Sequence, residues 1–186
     1  MPTLDLVIAP NPIFKQQAKP VDVKAEGAAL KTLIADLLDT LYREKGLGLA
    51  ATMVGILKRV VVVDLMEDGK KSPKVYINPE VIFASDEMQD HVEASLCYPG
   101  IEATITRPKH IKVSYLDEEG KACVEEAEDF RATVIQHEID YLNGKIFLEY
   151  VKPVKRQMLM TKMQKYKKML AKGHVHVHGP DCGHDH

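Results

Sequence analysis

The chain has 186 residues, a formal net charge of −2 and a composition of 45% hydrophobic and 28% charged residues. This length favours one domain with a sizeable core. No apolar run approaches the roughly 18 residues that cross a bilayer, and the first residues lack the features of a secretory signal. Three scattered cysteines do not form a disulfide framework. We therefore expect a cytoplasmic protein with neither a membrane nor a DNA partner.

The apolar pattern predicts strands and helices in mixed order. Strands are predicted at residues 4–9, 59–65, 74–77, 81–83, 87–96, 110–116 and 121–126. The strand at 87–96 should end near Pro99-Gly100, and residues 146–150 form a short apolar run. Helices are predicted at residues 28–44, at residues 127–143 with Gly144 as the C-cap, and from Pro153 onwards. Strands around a central helix that carries His137-Glu138 predict an α+β fold.

The last predicted helix is basic. Residues 153–172 hold seven basic side chains and no acidic one, whereas the rest of the chain is acidic. This asymmetry predicts an anionic partner, although a solvated surface is the alternative. One side of the helix is apolar and should dock on the body through Val154, Met158, Leu159, Met163, Tyr166, Met169 and Leu170. The chain is thus divided into a body at 1–152, a basic helix at 153–172 and a tail at 173–186.

The tail is predicted to be flexible and is rich in histidine. It holds six side chains of metal-binding type, His174, His176, His178, Cys182, His184 and His186. Such a tail is able to bind nickel or zinc, or it is passive. A metal-handling protein that acts through this tail is one hypothesis for the function.

The central predicted helix carries a near-match to a metal motif. In His-Glu-x-x-His, two histidines four residues apart share one helix face and hold a zinc-type ion, while the glutamate moves protons. Here the motif begins with His137-Glu138, but Tyr141 stands in place of the second histidine. The site is therefore either a metal site with an altered ligand or one that no longer holds a metal.

Three stretches together resemble the signature motifs of peptide deformylases. They lie at residues 46–55, at residues 93–97 (Glu-Ala-Ser-Leu-Cys) and at residues 136–144, in the same order and with similar separations. Supporting matches are Asn78-Pro79, Pro99-Gly100 and Arg107, and the resemblance covers about residues 1–170. It implies a compact α+β fold with the third motif on a central helix. It also implies removal of the N-formyl group from the initiator methionine of nascent chains, with a ferrous, zinc or related ion.

The resemblance also implies roles for individual residues. In that family a cysteine of the second motif and two histidines of the third hold the metal, and the glutamate between them is the general base and acid. A glutamine of the first motif and a backbone amide beside the cysteine stabilise the oxyanion. In this chain His137 and Glu138 are retained, and the backbone amide beside the cysteine position is that of Leu96. Ser95 replaces the cysteine, Tyr141 replaces the second histidine, and Met53 replaces the glutamine. Gly46, Gly48 and Leu49 would contact the substrate.

The three replacements weaken the chemistry together. A serine hydroxyl is a poor substitute for a thiolate, and a tyrosine stays protonated at neutral pH unless its pKa is lowered far from the usual value of about 10. Met53 offers no amide donor to an oxyanion. We therefore expect a deformylase-like protein whose activity is lost or strongly reduced and which binds no ion at the family site. An active deformylase that holds a ferrous, zinc or nickel ion with changed ligands is the alternative.

Other interpretations of the site residues remain open at this point. His137 is either a residual metal ligand or a hydrogen-bonded core histidine. Glu138 is either a proton carrier or a buried group that bonds to Ser95, Tyr141 or water, and without a partner its pKa should rise. Tyr141 is then a packing residue that fills the space of a metal.

Cys97 and Glu93 complete the set of candidate residues. Cys97 could replace the missing thiolate, but residues 95 and 97 of a strand are roughly 7 Å apart, so the backbone or the metal would have to move. Cys97 could also form a nucleophilic pair with His137. Glu93 and Arg107 should pair and hold the second motif. The basic helix at 153–172 suits a contact with the ribosome or a nascent peptide.

Overall fold

The computed structural model describes residues 3–173, so the proposed metal-binding tail lies outside the described residues. Within that range the α-helices are α1 (Val23–Arg43), α2 (Asp129–Leu142) and α3 (Pro153–Ala171). The strands are β1 (Gly48–Ala50), β2 (Val60–Val63), β3 (Lys74–Ala84), β4 (Met88–Ser95), β5 (Tyr98–Pro108), β6 (His110–Leu116) and β7 (Ala122–Glu128). Short 3-10 helices occupy Pro12–Lys15, Ala51–Val54, Glu67–Gly69 and Phe147–Tyr150. The predicted α+β fold is confirmed.

Two antiparallel sheets enclose helix α2. The larger sheet has the strand order β1-β2-β3-β6-β7, and β4 pairs with β5 in the smaller one. Helix α2 contacts strands of both sheets, and ten of its fourteen residues are buried. A helix buried nearly all round lies in the core. The prediction of a central helix that carries His137-Glu138 is confirmed, and the motif lies where both sheets meet it.

Helix α1 begins earlier than the apolar pattern predicts. Asp22 is its N-cap, and the carboxylate accepts hydrogen bonds from the amides of Lys24 and Ala25. The first turns face solvent and lack apolar residues at helical spacing, so periodicity places the start only at residue 28. The end of α2 follows the prediction, because Gly144 has a φ of 70° directly after the C-cap.

The strand predicted at residues 4–9 is wrong. The amide of Val7 donates to the carbonyl of Met53 at 2.8 Å, and the amide of Ala9 donates to that of Cys97 at 2.9 Å. These hydrogen bonds reach two different segments, so the extended chain crosses between them and forms no continuous ladder with either.

The strand predicted at residues 87–96 is β4, which ends at Ser95, but the sequence analysis predicts no strand after it, whereas β5 begins at Tyr98. Ser95 pairs with Tyr98 whereas Ala94 pairs with Glu102, so the extra residues bulge out of β5. Gly100 accommodates this bulge with a φ of 77°. The strands predicted at 74–77 and 81–83 likewise form one irregular strand, β3.

Helix α3 docks through only part of its predicted apolar side. Met163 is buried, Tyr166 packs against Gly100, and the ammonium group of Lys167 donates to the carbonyl of Ala9 at 2.8 Å. Val154 and Met158 instead remain 74% and 67% exposed. The predicted stripe is therefore wrong at both ends of the helix, because Met169 and Leu170 are exposed as well. Across residues 3–173, no helix has the length and apolar character needed to cross a membrane.

Candidate functional site

The fold brings together the three positions that the sequence predicts as metal ligands. Ser95 lies at the end of β4, and His137 and Tyr141 lie one turn apart on α2. The hydroxyl groups of Ser95 and Tyr141 share a hydrogen bond of 2.6 Å. The rings of His137 and Tyr141 have centroids 5.6 Å apart. Two of the three positions are thus engaged with each other through neutral hydroxyl groups.

Tyr141 is a fully buried packing residue. Its ring meets the ring of Phe14 edge to face at a centroid distance of 5.5 Å. Burial raises the pKa of the Tyr141 phenol well above 10, and the neighbouring Cys97 adds to this rise. The phenol is therefore protonated at neutral pH, and its oxygen is a weak ligand for a cation.

His137 is anchored by a buried charge network. Its Nδ1 lies 2.7 Å from Oε1 of Glu93. Arg107 donates to both oxygens of the same carboxylate, from Nε at 2.6 Å and from Nη2 at 2.9 Å, and Nη1 donates to Asp140 at 2.8 Å. The expected pair of Glu93 and Arg107 is confirmed. Because the carboxylate accepts hydrogen bonds, Nδ1 of His137 donates the proton, and Nε2 keeps its lone pair when the ring is neutral.

The network keeps Glu93 ionised. Burial acts to raise the pKa of Glu93, but hydrogen bonds from His137 and Arg107 outweigh it and hold the pKa below the usual value. Arg107 is only 2% exposed, and its pKa is raised because the two carboxylates outweigh the effect of burial. The network therefore joins β4 and β5 to α2 without an unpaired charge among these groups.

Glu138 contrasts with Glu93 because it lacks an ion-pair partner. Its Oε2 is buried and makes no hydrogen bond within residues 3–173. Burial raises the pKa of Glu138 to about 7, although nearby His137 and a hydrogen bond from the Ala50 amide oppose the rise. The expected bond from Ser95 or Tyr141 to Glu138 is not made, and those two hydroxyl groups bond to each other. The raised pKa expected for an unpaired Glu138 is present.

Met53 and Cys97 are both turned into the core. The sulfur of Met53 accepts a hydrogen bond from the Ala50 amide at 3.4 Å, and the thiol of Cys97 donates to the carbonyl of Met53 at 3.7 Å. Burial raises the pKa of the Cys97 thiol, and nearby Glu138 adds to the rise. A buried, protonated thiol supports neither a replacement ligand nor a nucleophile paired with His137.

A cleft of about 440 Å³ opens above these residues. Gly46 and Gly48 line it as predicted, and a Cβ atom on Gly48 would lie 2.8 Å from Oε1 of Glu138. Leu49 does not fit its predicted place in the cleft. Its side chain is fully buried in the core, and Leu47 lines the cleft instead.

Two residues of the cleft wall are not among the predicted site residues. Val92 and Phe130 line the cleft, and both are substantially exposed. Phe130, Val134 and His137 recur at intervals of four and three residues on α2, so helical spacing alone could have placed Phe130 on the site face. Val92 lies three residues before Ser95 in an alternating strand and carries no comparable signal.

Two free strand edges border the cleft. Strand β1 is the terminal strand of the larger sheet, and β4 pairs only with β5 within residues 3–173. Gly48 of β1 and a run from Val92 to Ser95 of β4 both line the cleft. Unpaired edges present backbone donors and acceptors that an extended peptide can satisfy.

Comparison with known proteins identifies the class to which this fold and site belong. Residues 3–157 match the family model for polypeptide deformylase. A peptide deformylase-like protein of Rickettsia conorii is 49% identical over 183 residues, which cover 98% of this chain and 97% of that protein. A peptide deformylase of Bartonella tribocorum is 42% identical over 168 residues, covering 89% and 93%.

Solved structures give the same result. The crystal structure of a peptide deformylase from Legionella pneumophila superposes with a TM-score of 0.85 at 34% identity, covering 92% of this chain and 99% of that one. The Ehrlichia chaffeensis peptide deformylase in complex with actinonin gives 0.83 at 33% identity, covering 90% and 99%. The chain belongs to the peptide deformylase family.

Proposed function

We propose that this chain is a deformylase-family protein in which metal-dependent deformylation is lost or strongly reduced while the peptide-binding cleft is kept. The hydrogen bond of 2.6 Å between Ser95 and Tyr141 carries this proposal. It joins the two positions where the family has a cysteine and a histidine ligand, with one hydroxyl group donating to the other.

The side chains at these positions do not fit a ferrous, zinc or nickel ion. A catalytic site of this type needs three protein ligands and an open position. Here one imidazole, that of His137, stands beside two neutral hydroxyl groups. Within residues 3–173 no group of three or more His, Cys, Asp or Glu side chains is placed to hold an ion. We therefore derive no reaction step through a metal.

The cleft itself supports binding of an extended peptide. The free edges of β1 and β4 border it, and its floor and walls include the apolar side chains of Leu96, Phe130 and Val134. A peptide strand placed between such edges gains backbone hydrogen bonds, while an apolar wall accepts a side chain.

Assay of a formyl-Met peptide tests the proposal. The full chain is supplied in turn with ferrous, zinc and nickel ions, with Glu138→Gln as the matched control, since the family reaction requires that carboxylate. We expect no turnover above the control with any ion. Turnover that Glu138→Gln abolishes would instead establish an active deformylase with changed ligands.

The basic helix supports a contact with the ribosome or a nascent chain. Arg156 and Lys167 bond to backbone carbonyls of the body. The other five basic side chains of α3 and its C-cap are exposed and are Lys155, Lys162, Lys165, Lys168 and Lys172. Co-sedimentation with ribosomes that weakens steeply with salt is expected, because phosphate contacts release counterions. Co-sedimentation that is absent at low salt would reject this partner and, with it, a cytoplasmic role at the ribosome.

A further inference from the structure

A second cavity lies apart from the cleft and has a volume of about 640 Å³. Strand β3, helix α2 and the 3-10 helix that ends at Tyr150 contribute to its lining. It shares no lining residue with the cleft, so a ligand here is independent of the altered metal positions and of the proposed function. Its volume is within the range of about 300–1,000 Å³ that is usual for small-molecule sites.

Gln136 presents an acceptor to this cavity that the fold leaves unused. Its Nε2 donates to the backbone carbonyls of Pro108 and Ala132, both at 3.0 Å, which fixes the orientation of the amide. The side chain is only 8% exposed, yet Oε1 makes no hydrogen bond within residues 3–173. Oε1 is not one of the enclosed atoms that lack a partner, so it remains open to the cavity that Gln136 lines. Because buried polar groups normally have partners, this oxygen indicates a ligand with a donor.

Asp140 lies one turn further along α2, on the same face as Gln136, and also has a free oxygen. Its Oδ2 accepts hydrogen bonds from Nη1 of Arg107 and from the hydroxyl of Tyr150, both at 2.8 Å. Its Oδ1 has no partner in the part of the chain that the structure describes. Two acceptors of neighbouring side chains thus face one cavity.

The charges around the cavity do not balance. Arg107 is the cation of Asp140, but it also donates to both oxygens of Glu93, so that one guanidinium serves two carboxylates. The other two charged lining residues, Arg59 and Glu80, have opposite charges. With a neutral imidazole at the far end of the network, these groups leave a surplus of one negative charge. Because Glu93 is buried on the side of the cleft, the surplus is accessible at Asp140.

The neighbouring cations do not supply the missing charge. Arg59 donates to the side chain of Asn143 at 3.0 Å and to two backbone carbonyls at 3.1 and 3.2 Å, rather than to Asp140. The ammonium group of Lys145 lies over the ring of Tyr150, 4.0 Å from its centroid. A cationic ligand with several N–H donors would therefore complement the cavity.

We propose that this cavity binds a guanidinium group, carried by an arginine side chain or by a small guanidino compound, which donates to Oδ1 of Asp140 and Oε1 of Gln136. A guanidinium has five N–H donors in a fixed plane and no acceptor, so it satisfies both oxygens and supplies the charge. An ammonium group supplies the same charge but is more strongly hydrated and lacks the planar arrangement of donors.

Calorimetric titration of the full chain with blocked amino acids tests this assignment. The probes are N-acetyl-arginine amide, the citrulline analogue, whose urea group has the same shape without the charge, and the lysine analogue. We expect the arginine compound to bind at millimolar concentration or below and the citrulline compound at least about tenfold more weakly, since charged hydrogen bonds are the stronger ones. The lysine compound should lie between them. No binding of the arginine compound at millimolar concentration, or equal or tighter binding of either analogue, overturns the proposal.

Substitutions in the cavity locate the site. Gln136→Met removes an acceptor without changing an ion pair and should weaken binding of the arginine compound about tenfold. Asp140→Asn removes the charge and should weaken it at least as much, whereas the exposed Glu118→Gln should leave the affinity unchanged. Circular dichroism establishes which variants fold, and Gln136→Met decides alone if Asp140→Asn does not. Wild-type affinity in a folded cavity variant overturns the assignment to this cavity.

A blocked Gly-Arg-Gly peptide separates the two sources of the guanidinium group. If it binds as tightly as N-acetyl-arginine amide, the cavity accepts an arginine side chain of a protein. If only the amide binds, the ligand is a small guanidino compound. Both outcomes support a guanidinium site, and failure of both probes to bind rejects it.

Discussion

At the scale of single residues, two neighbouring acids of the site have opposite environments. Glu93 and Glu138 are both buried, but only Glu93 has cationic partners. The pKa of Glu93 is held low by hydrogen bonds from His137 and Arg107 that outweigh burial, and that of Glu138 is raised by burial. The first carboxylate is thus held by an ion pair, whereas the second is buried without one.

Glu138 should make stability depend on pH. Its pKa rises from 4.5 to about 7 on folding, mainly through burial. The folded state therefore binds a proton that the unfolded state releases, and the wild-type protein loses stability as the pH rises from about 5 to above 7. Glu138→Gln removes this dependence.

Urea unfolding at several pH values measures the effect. Once the pH is above both pKa values, a shift of this size lowers the free energy of unfolding by about 3 kcal/mol. The free energy of unfolding of Glu138→Gln relative to wild type should increase by up to that amount between pH 5 and pH 8. The exposed Glu118→Gln is the control and should show no such trend. A difference independent of pH would contradict the unpaired state of Glu138.

At the scale of elements, the buried network attaches the smaller sheet to the central helix. Glu93 comes from β4, Arg107 from β5, and His137 and Asp140 from α2. Removal of one member of a buried ion pair leaves an uncompensated charge, which costs more than the pair itself contributes.

Glu93→Gln should therefore be strongly destabilising. We expect a loss of about 3–5 kcal/mol in the free energy of unfolding, because Arg107 keeps its buried charge with fewer partners. Glu87→Gln is the matched control. It breaks the exposed pair with Lys109 at 3.1 Å and should cost at most about 1 kcal/mol. Similar losses in both variants, measured by urea unfolding, would refute the structural role of the network.

Helix α3 allows a comparison between a docked and an exposed methionine. Met163 is fully buried whereas Met158 is 67% exposed. Met163→Ala should lower the free energy of unfolding by about 2–5 kcal/mol through the cavity that it leaves. Met158→Ala should change it by about 0.5 kcal/mol or less. Thermal or urea unfolding of the two variants measures these changes. Equal losses in the free energy of unfolding would contradict the observed packing of α3 on the body.

The sequence predicts elements well where local chemistry determines them. The hairpin of β6 and β7 follows from alternation and a turn that contains Asp117 and Gly120, and α2 ends at Leu142, just before the glycine signal at Gly144. Strand β5 was missed because the bulge that absorbs Pro99-Gly100 depends on pairing with β4. The exposure of Val154 could not be predicted either, because the apolar stripe does not show which of its residues contact the body.

The same distinction applies to the candidate site. The motifs identify Ser95, His137 and Tyr141 as neighbours although the first two are 42 positions apart. Sequence spacing alone does not show that these residues meet in the fold, whereas the resemblance to the family does. The hydrogen bond between Ser95 and Tyr141, and the orphaned oxygen of Glu138, depend on side-chain geometry within a few ångströms. No sequence pattern specifies which of three neighbouring polar groups bond to each other.

At the scale of the whole molecule, the chain has the fold of the family, and we propose that its centre is changed. The fold superposes on a deformylase of known structure, and the buried network joins the smaller sheet to α2. The central claim is that the Ser95–Tyr141 hydrogen bond stands in place of two metal ligands.

The metal content of the body tests this claim most directly. A chain that ends at Gly173, which excludes the histidine-rich tail, is loaded with ferrous, zinc or nickel ions and freed of excess metal. We predict far less than one ion per chain, and a gain towards one ion in the double variant Ser95→Cys with Tyr141→His, whose thiolate and second imidazole complete a three-ligand set. One ion per unsubstituted chain that disappears in His137→Ala would contradict the account.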